Sequence, residues 1–192
     1  MLPISDLGPA SPARTAYPAI IVGAGPIGLT AAIDLGLQGI DTLVLDQDDR
    51  LSEGSRAICF SKRTLEILDR LGCGERAVAK GVVWNTGKVF LRDGLLYQFN
   101  LQPEAGHRRP AFINLQQYYL EQFLLERLQE LPCVELRWRS KVIALQTRDD
   151  GVSVEVEVGG QRHRIDADYL LACDGSHSTV RGLLGLEAHG QV

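Results

Sequence analysis

Little in this sequence points to a metal, a disulfide framework or a membrane. The four cysteines, Cys59, Cys73, Cys133 and Cys173, include no CxxC pair, and only Cys173 has a histidine close by, His177. One such pair is not a ligand set, so no metal centre is expected. The mostly apolar neighbours of the cysteines predict buried thiols in a reducing compartment. The longest apolar stretch, around Pro18–Ile33, is interrupted by glycines and by Pro26 and is shorter than a spanning helix needs. It also lacks the basic start and small-residue cleavage pattern of a secretory signal. A cytoplasmic protein with no membrane contact is the expectation. The formal net charge is -4, and the twenty basic residues, sixteen of them arginine, are dispersed. Neither nucleic acid nor an anionic lipid surface is therefore expected as a partner.

What the chain does have is an ordinary globular composition, with 45% hydrophobic and 23% charged residues over 192 positions, enough to bury a core. Residues 1–16, with Pro3, Pro9 and Pro12 among Ser, Ala and Gly, read as a loose leader. The informative stretch follows, from Tyr17 to Asp46. An apolar run (Ala19–Val22) leads into Gly23-Ala-Gly-Pro-Ile-Gly28, then a helix-like segment to Gln38, then a second apolar run (Thr42–Leu45) closed by Asp46. Strand, glycine turn, helix and strand form the opening unit of a dinucleotide-binding fold. Gly23 allows the tight turn, Gly25 lets the backbone approach a pyrophosphate, and Gly28 lets helix and strand pack closely. Pro26 suits the first helical position. Free N–H groups and the helix dipole would hold the phosphates. Asp46, eighteen residues past Gly28, can accept hydrogen bonds from ribose hydroxyls.

Further along, Leu65, Leu68 and Leu71 predict a helix over Ser61–Leu71, ended by Gly72 and Gly74, with a short helical piece at Glu75–Lys80. Strands are expected at Val82–Trp84, Lys88–Arg92 and Leu95–Asn100, with Asp93-Gly94 at the centre of a hairpin turn. Leucines 120, 124, 128 and 131 form one stripe of a helix over Leu115–Leu131 that Pro132 stops. Val134–Trp138 fits a parallel strand. Lys141–Thr147, Val152–Val158 and Gln161–Ala167 suggest a three-stranded antiparallel excursion with turns at Asp149-Asp-Gly and Gly159-Gly. A buried strand at Tyr169–Cys173 then runs into Asp174-Gly175 and a helix from Ser178. His177 has no identifiable partner for general-base work, and Tyr118 and Tyr119 read as packing residues.

These segments resemble, in order and spacing, the FAD-dependent aromatic hydroxylases of the p-hydroxybenzoate hydroxylase (GR2) type, closest to the phenol and 3-(3-hydroxyphenyl)propionate hydroxylase branch. Gly23, Gly25, Gly28, Ala32 and Gly39 match the longer glycine fingerprint, with Asp46 as its ribose acid. Gly54-Ser-Arg56-Ala-Ile-Cys59 resembles the family's arginine loop, Gln117 the glutamine opening the next helix, and Asp174-Gly-Ser-His-Ser-Thr-Val-Arg181 the internal DG motif. The fold this implies is an α/β, Rossmann-like FAD-binding domain with β-rich insertions, and the cofactor residues it implies are Gly23, Gly25, Pro26, Gly28, Asp46, Arg56, Gln117, Asp174 and Gly175. It also implies a flexible leader at 1–16, an FAD-binding domain at 17–80 and 109–185, and parts of an incomplete substrate-binding domain at 81–108 and 186–192.

The resemblance implies FAD as cofactor and NADH or NADPH as co-substrate. It implies transfer of one oxygen atom from dioxygen to a small phenolic compound through a flavin C4a-hydroperoxide, and no residue of this chain is thereby marked as catalytic. Family members continue into a longer substrate-domain sheet and a Gly-Asp motif. By that comparison the chain is a truncated, amino-terminal part, inactive alone, and a homo-oligomer is compatible with it. Two other readings are a different flavin chemistry on the same fold, halogenation or epoxidation, and a non-catalytic dinucleotide-binding module.

Overall fold

The computed structural model describes residues 14–51 and 57–190. In chain order its first elements are β1 (Ala16–Val22), α1 (Pro26–Leu37), β2 (Thr42–Leu45), β3 (Cys59–Ser61), α2 (Lys62–Leu71) and α3 (Gly74–Lys80). There follow β4 (Val82–Trp84), β5 (Thr86–Leu91), β6 (Gly94–Asn100), β7 (Phe112–Asn114) and α4 (Gln117–Leu128). The last are β8 (Val134–Arg137), β9 (Lys141–Arg148), β10 (Gly151–Val158), β11 (Gln161–Ala172) and α5 (Thr179–Leu183). Two compact units divide the chain, Met1–Ser52 with Leu128–Val192, and Glu53–Arg127. Residues 1–13 of the expected leader, and Gly54, Ser55 and Arg56 of the arginine loop, lie outside the described residues.

The first unit is built on one six-stranded sheet of order β8-β2-β1-β11-β10-β9. Strand β1 has parallel neighbours on both sides, Ala19 opposite Thr42 of β2 and Ile20 opposite Leu170 of β11. A strand enclosed in this way reads as a continuous apolar run, and Ile20 and Ile21 are fully buried. Helix α1 starts at Gly25 as N-cap, with Pro26 in the first turn, where its missing N–H is no loss. Leu29, Ala32 and Ile33 form its buried side. Gly36 continues that side because a Cβ there would lie 2.6 Å from the Val134 side chain of β8. The other half of the core joins Ile20, Val22, Leu43 and Leu45 to Val142, Val154, Val156 and Ile165 of the antiparallel strands and to Val180 of α5.

Two expectations for the last strand need correction. Gln161–Ala167 and Tyr169–Cys173 are not separate strands; β11 runs unbroken through both. Its first half pairs antiparallel with β10 as far as Val152 opposite Ala167, and its second half pairs parallel with β1. Nor is the second half well buried. With β10 no longer alongside, Tyr169 is 73% exposed.

In the second unit, α2 has Ser61 as N-cap, whose hydroxyl accepts the Thr64 N–H, and Gly72 in the left-handed conformation (φ +85°) ends it. Leu65, Leu68 and Leu71 are buried as their spacing predicts. In α4 the leucines at 120, 124 and 128 are buried likewise, but the helix ends at Leu128 and not Leu131. Strands β3, β7 and β4 form a small sheet in that order. The hairpin β5–β6 turns at Arg92 (φ +50°) and Asp93, with Leu91 opposite Gly94, so the turn centre lies one residue earlier than expected. Arg109 is buried among charges, its Nε donating to Asp69 at 2.7 Å and its Nη2 to Glu75 at 2.6 Å. The hydrogen bonds from the Arg109 guanidinium hold the Asp69 carboxyl below its ordinary range. The cysteines are all free, but only Cys73 is buried and Cys59 is exposed, because β3 has a single neighbour, β7.

Candidate dinucleotide site

The site residues of the first unit gather at the carboxyl ends of the parallel strands, where open α/β sheets take their ligands. At the exit of β1, Gly23 has φ +105° and donates its N–H to the Leu45 carbonyl at 2.8 Å. A Cβ on Gly23 would lie 2.5 Å from the Cys173 carbonyl oxygen, so the position is closed to a side chain on two counts. A Cβ on Gly28 would fall 1.8 Å from the Gly23 carbonyl oxygen, which explains why the first turn of α1 can press against the loop. Gly25 is different. A Cβ there meets nothing within 4 Å, and the space in front of the helix start is open. The first-turn N–H groups beyond Pro26 have no intrahelical acceptor and stand at the positive end of the helix dipole.

At the exit of β2, the Asp46 carboxylate is pinned by two backbone donors. Ala24 N–H reaches Oδ2 at 2.5 Å and Asp48 N–H reaches Oδ1 at 2.9 Å. A carboxylate has about four acceptor positions, so capacity remains for two hydroxyls. Next along the sheet, the exit of β8 is stitched to this loop. Asp46 N–H donates to Arg137 O at 3.1 Å, Ser140 N–H to Asp46 O at 2.8 Å, and Arg139 N–H to Asp48 O at 2.9 Å. Arg139 adopts φ +53°, and its guanidinium reaches Asp49 at 3.2 Å. Sequence reasoning singled out none of Trp138, Arg139 and Ser140; a loop that works through its backbone leaves no motif.

At the exit of β11, the DG segment is held by its own side chains. Asp174 accepts the Ser178 hydroxyl at 2.6 Å on Oδ1 and the Val180 N–H at 2.9 Å on Oδ2. Ser178 in turn accepts the Arg181 N–H at 3.0 Å, and Arg181 donates to the Ser176 carbonyl at 2.8 Å. Gly175 takes φ +80°, which few other residues tolerate. The Asp174 carboxylate therefore shapes the loop. Beside it, burial first and then the Asp174 charge push the Cys173 thiol up.

In the second unit, Gln117 is buried at the start of α4. Its Oε1 accepts the Ala57 N–H at 3.1 Å and its Nε2 donates to Glu121 at 2.7 Å. It thus fixes Ala57, the residue that follows Arg56 within the arginine loop.

A glycine turn from a parallel strand into a helix, with an acid tied to it from the next strand, defines a protein of the dinucleotide-binding α/β class. Residues 16–192 match the family described as FAD binding domain, and the chain belongs to that family. It is 37% identical over 175 residues to a 12-dehydrotetracycline 5-monooxygenase/anhydrotetracycline 6-monooxygenase of Streptomyces rimosus, covering 91% of this chain and 34% of that protein. It is 31% identical over 176 residues to a 3-(3-hydroxy-phenyl)propionate/3-hydroxycinnamic acid hydroxylase of Burkholderia cenocepacia, covering 88% of this chain and 32% of that protein. Among solved structures, the flavin-dependent monooxygenase PieE in complex with FAD and substrate superposes with a TM-score of 0.82 at 27% identity, covering 92% of this chain and 33% of that one. The fold is thus the p-hydroxybenzoate hydroxylase type expected. The chain spans about a third of the length of these relatives. Among the described residues, no helix is long and apolar enough to cross a membrane.

Proposed function

We propose that the first unit holds the adenosine diphosphate half of FAD across the exits of β1 and β2. The carrying observation is the pairing of an open helix start at Gly25 with the pinned carboxylate of Asp46. The backbone of Gly23, Gly25 and Gly28 leaves room for the pyrophosphate at α1, and Pro26 sets the first turn without adding a donor. Asp46 accepts the ribose hydroxyls. Asp174 and Gly175 fix the wall at the exit of β11. For Arg56 and Gln117, cofactor contact is proposed on the family resemblance alone.

For the protein that carries this chain we propose an NADH- or NADPH-dependent aromatic monooxygenase in the cytoplasm. Its FAD-binding domain would comprise 17–80 and 109–185, and its substrate-binding domain would include 81–108 and 186–192. The names of the two relatives and of the solved neighbour support this reading. FAD, when bound, would supply the redox-active, oxygen-activating ring, and the residues above would hold it by its adenosine diphosphate half. A small phenolic compound is the proposed substrate.

Binding is tested by titrating the purified chain with FAD, ADP and FMN. FAD and ADP should bind and FMN should not, since FMN lacks the adenosine half. Equal affinity for FMN would overturn the assignment. Hydroxylation is tested with FAD, NADH or NADPH, and phenol or 3-(3-hydroxyphenyl)propionate, weighing products for one added oxygen atom. Nucleotide oxidation with no heavier product in the protein carrying this chain would overturn the monooxygenase reading and leave the dinucleotide site standing.

A further inference from the structure

We infer that Trp138 is the adenine-side wall of this site and donates its indole N–H to the adenosine moiety of the dinucleotide. The inference rests on the dinucleotide reading above and extends it to a residue outside the glycine and acid motifs.

The argument begins with the sheet order β8-β2-β1, which sets three strand exits in a row. The pyrophosphate cradle stands at the exit of β1 and the ribose acid at the exit of β2. An adenosine extended away from its phosphates continues in the same direction, over the exit of β8. Register puts Arg137 opposite Leu45, so Trp138 is the residue beside Asp46. The two loops hold each other through backbone bonds from Asp46, Arg139 and Ser140, and Ser140 also donates its hydroxyl to the Trp138 carbonyl at 3.0 Å. The indole is therefore carried on a fixed backbone, while its Nε1 is buried and has no hydrogen-bond partner among the described residues. An indole N–H is only a donor, and leaving it unmet away from water is costly. Adenine presents acceptor nitrogens around its rings, and the ribose adds oxygens. Because Nε1 is enclosed in the structure, the proposed contact requires the indole to turn towards the site when the adenosine binds.

The test uses ADP, which has no isoalloxazine to absorb indole emission by energy transfer. The chain contains two tryptophans, Trp84 and Trp138, so Trp84→Phe leaves Trp138 as the single reporter. Should that change disturb folding, the same signal is the difference between wild type and Trp138→Phe. ADP should alter Trp138 emission saturably, with the dissociation constant found by calorimetry. Trp138→Phe keeps a ring but removes the donor, and should weaken ADP roughly five- to tenfold, the value of one hydrogen bond. Calorimetric binding of ADP with unchanged emission and unchanged affinity in Trp138→Phe would overturn the inference alone. Failure of both ADP and FAD to bind the wild-type chain would overturn the dinucleotide reading with it.

Discussion

The N–H of Ala24 donates to the carboxylate of Asp46 at 2.5 Å, so the glycine turn and the acid of the next strand form one hydrogen-bonded piece. Asp46 has two jobs on this geometry, holding the turn and offering its remaining acceptor positions to a ribose. Asp46→Ala removes both. It should lower ADP affinity about ten- to hundredfold, as expected for loss of charged hydrogen bonds, and cost about 1 kcal/mol of stability. Asp46→Asn keeps one acceptor oxygen and should fall between. Calorimetry with ADP and denaturant unfolding of the same samples separate the two effects; unchanged ADP affinity in Asp46→Ala would remove the acid from the site.

The glycines of the turn should respond in opposite ways. Gly28→Ala puts a Cβ against the Gly23 carbonyl and should destabilise the first unit by about 3 kcal/mol, as overpacking does. Gly25→Ala points into open space from an ordinary backbone conformation (φ -74°) and should leave stability within about 0.5 kcal/mol of wild type. Gly25→Val should fold and fail to bind FAD or ADP. Thermal unfolding and nucleotide titration read both; a Gly25→Val protein with full affinity would refute the cradle.

Tyr17 is expected to make the chain sensitive to alkali. Its hydroxyl donates to Glu135 at 2.5 Å and accepts from Arg137 at 2.8 Å. Burial first, then the bond to Glu135, push the phenol up to about 12. A phenol whose value is raised in the folded state binds its proton more tightly there. Its stabilising contribution is complete below about pH 10, the unfolded value, and is lost as pH rises towards 12. Tyr17→Phe should therefore cost about 1 kcal/mol near neutrality and flatten the fall in stability above pH 10. Denaturant midpoints measured from pH 8 to 11.5 provide the check, and parallel curves for the two proteins would contradict it.

Arg109 offers a prediction for the second unit. It is 5% exposed and bonds Asp69 and Glu75, and removing it leaves the largely buried Asp69 carboxylate with only Arg108, at 3.5 Å, as a cation partner. Arg109→Met should cost about 3–5 kcal/mol, and adding Asp69→Asn should restore part of it. A double-mutant cycle by urea unfolding measures the coupling; additive losses would show that the pair does not act as a unit.

The sequence was most legible where backbone geometry forces a residue type. Gly23, Gly28 and Gly175 are required by positive φ or by a carbonyl within a Cβ's radius, and such needs appear directly as glycine. The leucine stripes of α2 and α4 were equally readable, because a helix repeats its buried face every three or four residues. Strands β3 and β7 were not, since Cys59–Ser61 and Phe112–Asn114 are too short to display alternation and lack the paired valines that mark Val82–Trp84. The continuity of β11 was hidden because its two halves answer to different neighbours and so follow no single burial pattern. Arg109 looked like any arginine in a polar run, since the acids that bury it come from Asp69 and Glu75, far back in the chain. The stitching of Arg139 and Ser140 to the Asp46 loop uses main-chain atoms, which every residue possesses.

The shared strand β11 also sets an order of events during synthesis. Ala16 of β1 must find Asp166 and Val22 must find Ala172, partners that lie 150 positions further along the chain. Until those residues leave the ribosome, β1 has one bare flank, and the glycine turn lacks the Cys173 carbonyl against which Gly23 packs. Such non-local pairing is slow, because the chain must close a large loop before any contact rewards it. The nucleotide cradle therefore takes its final shape only once β11 has been made, well after its own glycines have emerged.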